Sequence, residues 1–319
     1  MDEMRARVAR TVLLAVALGL LVACAGTARN ERAANGPPVT FGAHDAEGQA
    51  AARNLQTQYD DTRPDCRKDA SDPNPLPAIL CSGVLLRATK RGAAYDIWNP
   101  NLGSVLKRGV SFSWLRKDSA FSGVVFGYTN GFVILPYFSA DSVGDNYTQL
   151  TVLCIYPFDA DTYNRPSGTN DGCGPHSAQA GTTGPCQAQG IQNAQQWLAK
   201  FGAVANRYQQ QCGFTLLPGT AGAYLAFQAQ ASIRASQPQH FGLQNEVMVG
   251  TWAQNDARLP IEAFFYLSGN AAGLNEARLN QHDYNAMARR WVPVIRSTLP
   301  TVANGPAKFE YVVTDQQIP

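Results

Sequence analysis

The sequence predicts an α+β domain built on a largely antiparallel, mixed sheet with flanking helices and disulfide-held loops. Three observations carry that expectation. Short apolar runs with period-two alternation outnumber helical runs, and the two kinds do not alternate as strand–helix–strand units. No glycine-rich phosphate loop follows any strand-like run. Six cysteines remain once Cys24 is set aside, in a chain with 28 Gly and 19 Pro, a composition that suits loops stapled in an oxidising compartment. With 319 residues, 45% hydrophobic, the chain can bury a sizeable core. A net charge of +2 offers no basic face, so no nucleic-acid partner is expected.

Residues 11–23 (TVLLAVALGLLVA) form one apolar run. It is too short for a bilayer, which needs about 20 residues, and fits the apolar stretch of an export signal. Arg5, Arg7 and Arg10 supply positive charge ahead of it, whereas Asp2 and Glu3 are foreign to such a region and point to Met4 as the start. The run closes on Leu21-Val22-Ala23-Cys24, which resembles the bacterial lipobox. That resemblance implies removal of residues 1–23, lipid on Cys24 and membrane contact through that lipid. Ordinary signal cleavage nearby is the alternative. Ala25, where an acidic residue would argue for inner-membrane retention, implies the outer membrane, at its periplasmic face or the cell surface. Residues 24–45, small, polar and broken by Pro and Gly, read as a flexible tether, and residues 46–319 as a single domain.

Along that domain, residues 46–59 have helical character and stop at the Asp60-Asp61-Thr62-Arg63-Pro64 turn. Residues 79–89 (ILCSGVLLRAT) read as the first strand, apolar and β-branched. Residues 109–115 form a second, with Val110, Phe112 and Trp114 on one face and Ser111 and Ser113 on the other. Residues 121–137 suggest a hairpin turning at Thr129-Asn130-Gly131. Residues 148–156 make another strand, and the Gly-, Pro- and Ser-rich stretch 159–190 a long loop held by a disulfide. Residues 191–211 repeat apolar side chains at helical spacing, and residues 221–236 form a second such helix before Pro238. Strands at 245–252 and 261–267, joined by a short loop, are expected to pair antiparallel. A helix at 274–290 and a strand at 291–296 close the domain.

The disulfide candidates are Cys66, Cys81, Cys154, Cys173, Cys186 and Cys212, which allow 15 pairings. Short loops favour Cys66–Cys81 and Cys173–Cys186, leaving Cys154–Cys212. The four histidines are scattered without metal-ligand spacing, so no metal is expected. Asp159-Ala160-Asp161 starts like a calcium loop, but Tyr163 breaks the pattern and the closing Glu is missing. No Gly-x-Ser-x-Gly elbow supports a serine hydrolase. Trp98, Trp114, Tyr128 and Phe132 are aromatic candidates for a nicotinamide pocket, with core packing the stronger expectation.

Three strands carry polar residues that packing alone does not call for: Arg87 at the end of an apolar run, Ser111 and Ser113 on one strand face, and Gln244 and Glu246 at period two. An arginine, a Ser-x-Ser strand and a Gln-x-Glu strand, in that chain order, resemble the arginine/serine/glutamate branch of the ADP-ribosyltransferase superfamily. Blocks at Cys81-Ser82-Gly83, Tyr95-Asp96-Ile97-Trp98, residues 109–113, Gln244-Asn245-Glu246 and residues 259–266 also resemble the halovibrins, secreted NAD-consuming bacterial proteins. The likeness spans about residues 66–296. It implies a sheet core of the ADP-ribosyltransferase type and cleavage of the nicotinamide–ribose bond of NAD. NAD would be the substrate, with no tightly bound cofactor, and water or a protein side chain the acceptor. Glu246 would stabilise the oxocarbenium-like ribose, and Arg87 would hold the diphosphate. Ser111 and Ser113 would hydrogen-bond the glutamate and the ribose, while Gln244 would position the acceptor. Relatives that modify arginine carry Glu where this chain has Gln244, which weakens transfer to arginine.

Each residue also has a plainer reading. Arg87 could cap a strand end, Ser111 and Ser113 could be a solvated face, and Glu246 an ordinary strand residue. A non-catalytic envelope lipoprotein acting as a binding module is the alternative function. The enzyme requires Arg87, Ser111, Ser113 and Glu246 in one cleft, and Arg87 and Glu246 on opposite faces would defeat it.

Overall fold

The computed structural model describes residues 43–67, 69–73, 76–92, 110–134, 150–160, 186–202, 211–215, 228, 244–251, 261–302 and 304–316. The apolar leader, Cys24, most of the tether, Trp98, Cys173 and nearly all of the expected helix at 221–236 lie outside them.

Helix α1 (Asp45–Asp60) matches its expected span and buries Gly48, Ala52, Leu55 and Tyr59 along one stripe. Two short strands, β1 (Asp65–Cys66) and β2 (Leu76–Pro77), pair beside it. Among the described residues the main sheet has nine strands: β3 (Val84–Thr89), β4 (Val110–Leu115), β5 (Asn130–Ile134), β6 (Leu150–Tyr156), β7 (Phe214–Thr215), β8 (Glu246–Thr251), β9 (Ile261–Leu267), β10 (Val294–Thr298) and β11 (Lys308–Tyr311). Their order is β11-β10-β9-β5-β3-β4-β8-β6-β7, antiparallel throughout except for β9 and β10. Helices α2 (Ala194–Phe201) and α3 (Ala271–Ala288) contribute Trp197, Phe201, Ala277 and Tyr284 to the core on one face. Helix α1 covers the other, with Leu55 and Tyr59 against Val84, Leu86 and Phe265. The domain is therefore α+β with a largely antiparallel sheet, flanking helices and disulfides.

Several local expectations change. The expected strand at 79–89 begins instead as a 3-10 turn, Ala78–Leu80, and extends only from Val84. Gly83 between them sits at φ 72 under the Trp114 indole, where a Cβ would come within 2.1 Å of Nε1. The Asn130-Gly131 pair is not a hairpin turn but lies inside β5, with Gly131 opposite Ala88 and Phe265. Glycine is needed there for close approach, because a Cβ would meet the Arg87 carbonyl at 2.0 Å. Strands β8 and β9 do not pair; β5, β3 and β4 stand between them. One strand–helix–strand unit is present after all, since β9 and β10 are parallel and α3 makes the crossover such a pair needs. β11 has no counterpart among the expected elements.

Cys66–Cys81 is a disulfide as the short spacing suggested. Cys186 pairs with Cys212, not with Cys173. Cys154 is also disulfide-bonded, so it is not Cys212's partner, and its own partner lies outside the described residues. The reason is spatial. The Cys186 N–H donates to the Gly213 carbonyl, bringing residue 186 beside 212 despite a separation of 26.

Candidate functional site

The strands carrying Arg87, Ser111 with Ser113, and Glu246 are immediate neighbours, β3, β4 and β8. Their pairing is divided along β4. Its Ser113, Trp114 and Leu115 oppose Leu86, Leu85 and Val84, whereas its Val110, Ser111 and Phe112 oppose Val249, Met248 and Val247. One strand thus serves two half-sheets, as at the corners where sheets change direction.

Alternation then sets the faces. Ser111 opposes Met248, so Ser111, Ser113, Met248 and Glu246 point to one side. On β6, Tyr156 opposes Glu246, and Cys154, Tyr156, Ala160 and Met248 form a small apolar cluster there. The Ser113 hydroxyl donates to Gln244 Oε1 at 2.7 Å, and the Val125 N–H donates to the same oxygen at 3.1 Å. Glu246 is 2% exposed, and its Oε2 accepts the Ala160 N–H at 2.7 Å. A buried carboxylate needs such donors, and a charge-assisted bond of this kind is among the stronger ones.

Arg87 is placed differently. It opposes Phe132 on β5 and shares parity with Leu85, which lies in the core under α2 and α3. Leu86, on the other parity, opposes Ser113. Arg87 and Glu246 therefore project from opposite faces of the sheet. Arg87 as a whole residue is 9% exposed, and its guanidinium donates to the Ser111 main-chain carbonyl at 2.7 Å, just where β3 and β4 cease to pair. The requirement of one shared cleft is not met by the strand faces. It defeats the four-residue arrangement, in which Arg87 holds the diphosphate beside Glu246. The physical cause is a phase difference: the arginine and serine strands pair with opposite parities at Leu86 and Ser113.

Three groups that sequence reasoning missed hold this region. Asn245, 2% exposed, accepts the Trp114 N–H at 2.7 Å and donates to the Trp114 carbonyl at 2.9 Å. Its side chain thus replaces a strand residue where the β4–β8 ladder ends. Gln211 Nε2 donates to the Asp159 carbonyl at 3.2 Å, and the Asp159 N–H donates to the Gln244 carbonyl at 2.9 Å. Arg116, 4% exposed, grips Asp118 with two donors, at 2.5 and 2.7 Å, and stacks on Trp114. Polar residues flanking apolar runs were the only available signal, and none revealed a partner.

Trp114 and Phe132 belong to the main core. Tyr128 is half-buried beside the exposed Phe126, at 5.5 Å between ring centres. Of the calcium-loop candidate only Asp159 and Ala160 are described. Among the described residues no group of three or more His, Cys, Asp or Glu is placed to hold a metal ion, and no helix is long and apolar enough to cross a membrane. No protein-family model matches the chain, and no curated protein matches it.

Proposed function

We propose that the chain cleaves the nicotinamide–ribose bond of NAD, as a glycohydrolase or mono-ADP-ribosyltransferase, with Glu246 as the carboxylate facing the ribose. One observation carries the reading: residues more than 130 positions apart, Ser111, Ser113, Gln244 and Glu246, share one face of adjacent antiparallel strands, in the order the resemblance requires. We extend the proposal to the sheet, which we read as an ADP-ribosyltransferase-type core. In the reaction, nicotinamide departs with the bonding electron pair and leaves positive charge on the ribose. A preorganised carboxylate beside the ribose favours that state over the ground state, in which the positive charge sits on the nicotinamide ring. Water or an acceptor side chain then bonds to the ribose carbon and loses its proton. Arg87 is no longer required to share the cleft: its guanidinium is bound to the Ser111 carbonyl, so Arg87 acts here as a brace on that backbone, and no arginine is assigned to the diphosphate.

The two contacts that Gln244 accepts fall on its oxygen, so Glu in its place would keep both. That makes Gln244→Glu a usable probe for transfer to arginine. The non-catalytic binding module is the second reading. It is favoured by the opposite faces of Arg87 and Glu246 and by the burial of the Glu246 carboxylate.

Nicotinamide release by the mature exported protein decides between them. Glu246→Gln keeps the shape and a carbonyl acceptor for Ala160 but removes the charge. The expected loss is about 10²–10³ in rate, with NAD affinity little changed. A variant retaining more than about a third of the wild-type rate would show that Glu246 is not the reacting carboxylate. A wild type that releases no nicotinamide would favour the binding module. We further propose that the protein is exported and anchored at the outer membrane through lipid on Cys24.

A further inference from the structure

We infer that Gln211 and the Cys186–Cys212 disulfide position Glu246, so that the site is assembled only once that disulfide has formed. The inference rests on the reading of Glu246 given above.

The contact runs through one peptide unit. The carbonyl of Asp159 and the N–H of Ala160 belong to the same plane and, in a trans peptide, point in opposite directions. Gln211 Nε2 donates to the carbonyl end at 3.2 Å, and the N–H end donates to Glu246 Oε2 at 2.7 Å. Gln211 thereby fixes the orientation of the peptide and polarises it toward the carboxylate, as linked hydrogen bonds do in a low-dielectric interior. The Asp159 N–H, bonded to the Gln244 carbonyl, ties the same segment to the strand that carries Glu246.

Gln211 is 0% exposed and adjoins Cys212, which is equally buried and bonded to Cys186. The neighbourhood is clamped on both sides. Cys186 donates its N–H to the Gly213 carbonyl, and the Trp197 indole donates to the Cys212 carbonyl at 3.3 Å. β7, which follows, pairs with β6 among the described residues through Cys154 opposite Thr215 and Ile155 opposite Phe214. The cross-link adds a covalent hold on residues 211–213 to these hydrogen bonds.

In a reducing compartment Cys186 and Cys212 remain thiols and the Gln211 end of the relay loses its covalent hold. On export, exchange with a disulfide oxidant forms the bond. The two thiols give up two electrons and two protons, and the oxidant's disulfide becomes two thiols. An NAD-cleaving site would thus be completed outside the compartment that makes it.

The test uses oxidised, exported protein carrying Gln211→Leu, similar in size but without the amide donor. The expected result is a fall in kcat of about tenfold, the upper scale of one neutral hydrogen bond, with KM for NAD within twofold. The Ala160 amide should exchange with deuterium faster than in wild type, while the Trp114 amide, held by Asn245, keeps its protection. The double variant Cys186→Ala/Cys212→Ala should do the same, and it stands in if Gln211→Leu does not fold. Cys66→Ala/Cys81→Ala, removing the other bridge, should lower stability without changing kcat. Unchanged kcat together with unchanged Ala160 exchange in both relay variants would overturn the inference, as would a kcat loss of equal size in the Cys66/Cys81 variant. If wild type releases no nicotinamide, the NAD reading has failed. Exchange at Ala160 then decides alone: faster exchange supports the positioning role, and unchanged exchange overturns it.

Discussion

Glu262→Gln should make the protein more stable above pH 7 and flatten its stability between pH 4.5 and 7. Glu262 is the extra residue of a β-bulge, where Val133 and Ile134 oppose Ala263 and Ile261. Part of its side chain reaches solvent, but its Oε2 is sealed off and accepts no hydrogen bond among the described residues. Burial, opposed in part by the charge of Arg290, pushes the carboxyl from its ordinary 4.5 up to about 7. Below pH 4.5 the group is protonated in both states and folding carries no penalty. Between 4.5 and 7 the unfolded chain ionises while the folded protein keeps the proton, so stability falls as pH rises. Above 7 the folded protein holds a poorly solvated charge and the full penalty is present. At about 1.4 kcal/mol per tenfold change in proton affinity, a rise from 4.5 to about 7 sets an upper limit of about 3 kcal/mol. Urea unfolding of wild type and variant at pH 4, 6 and 8 measures it. The two should agree at pH 4, and the variant should gain about 1–3 kcal/mol at pH 8. A constant difference across that range, or a less stable variant at pH 8, would refute the reasoning.

Asn245→Ala strips the partner from the N–H of buried Trp114 and one donor from its carbonyl, which keeps Ser119 Oγ at 3.5 Å, and should cost about 1–3 kcal/mol in urea unfolding, the scale of one orphaned group. A loss under about 0.5 kcal/mol would mean that water or another group replaces the amide. Cys24→Ser should move the processed protein from the membrane fraction to the soluble fraction, measured by fractionation and immunoblotting. Continued membrane association after signal processing would show that something other than lipid holds it.

Local periodicity was enough for α1, for the alternation of Val110, Phe112 and Trp114 in β4, for β9 and for most of α3, because one buried face leaves its mark within a few residues of chain. Short spacing likewise pointed to Cys66–Cys81. The same reasoning misplaced Asn130-Gly131, since an Asn-Gly pair looks alike whether glycine provides a turn or makes room for a neighbouring backbone. It paired β8 with β9 from proximity in sequence, although each had closer partners across the sheet. It assigned Cys186 to Cys173, where the contact with residues 212 and 213 comes from strand β7 packing at the sheet edge. The candidate site divides in the same way. Residue types and spacing within each strand were legible, including the shared face of Gln244 and Glu246. Whether Arg87 joined that face depended on the register between β3 and β4, and a shift of one residue would have reversed it. Asn245 on Trp114 and Gln211 on Asp159 span long stretches of chain and have no periodicity to betray them. Alternation along a strand is written in the order of residues, whereas register, face and partner are set by side-chain packing between segments that meet only in the folded protein.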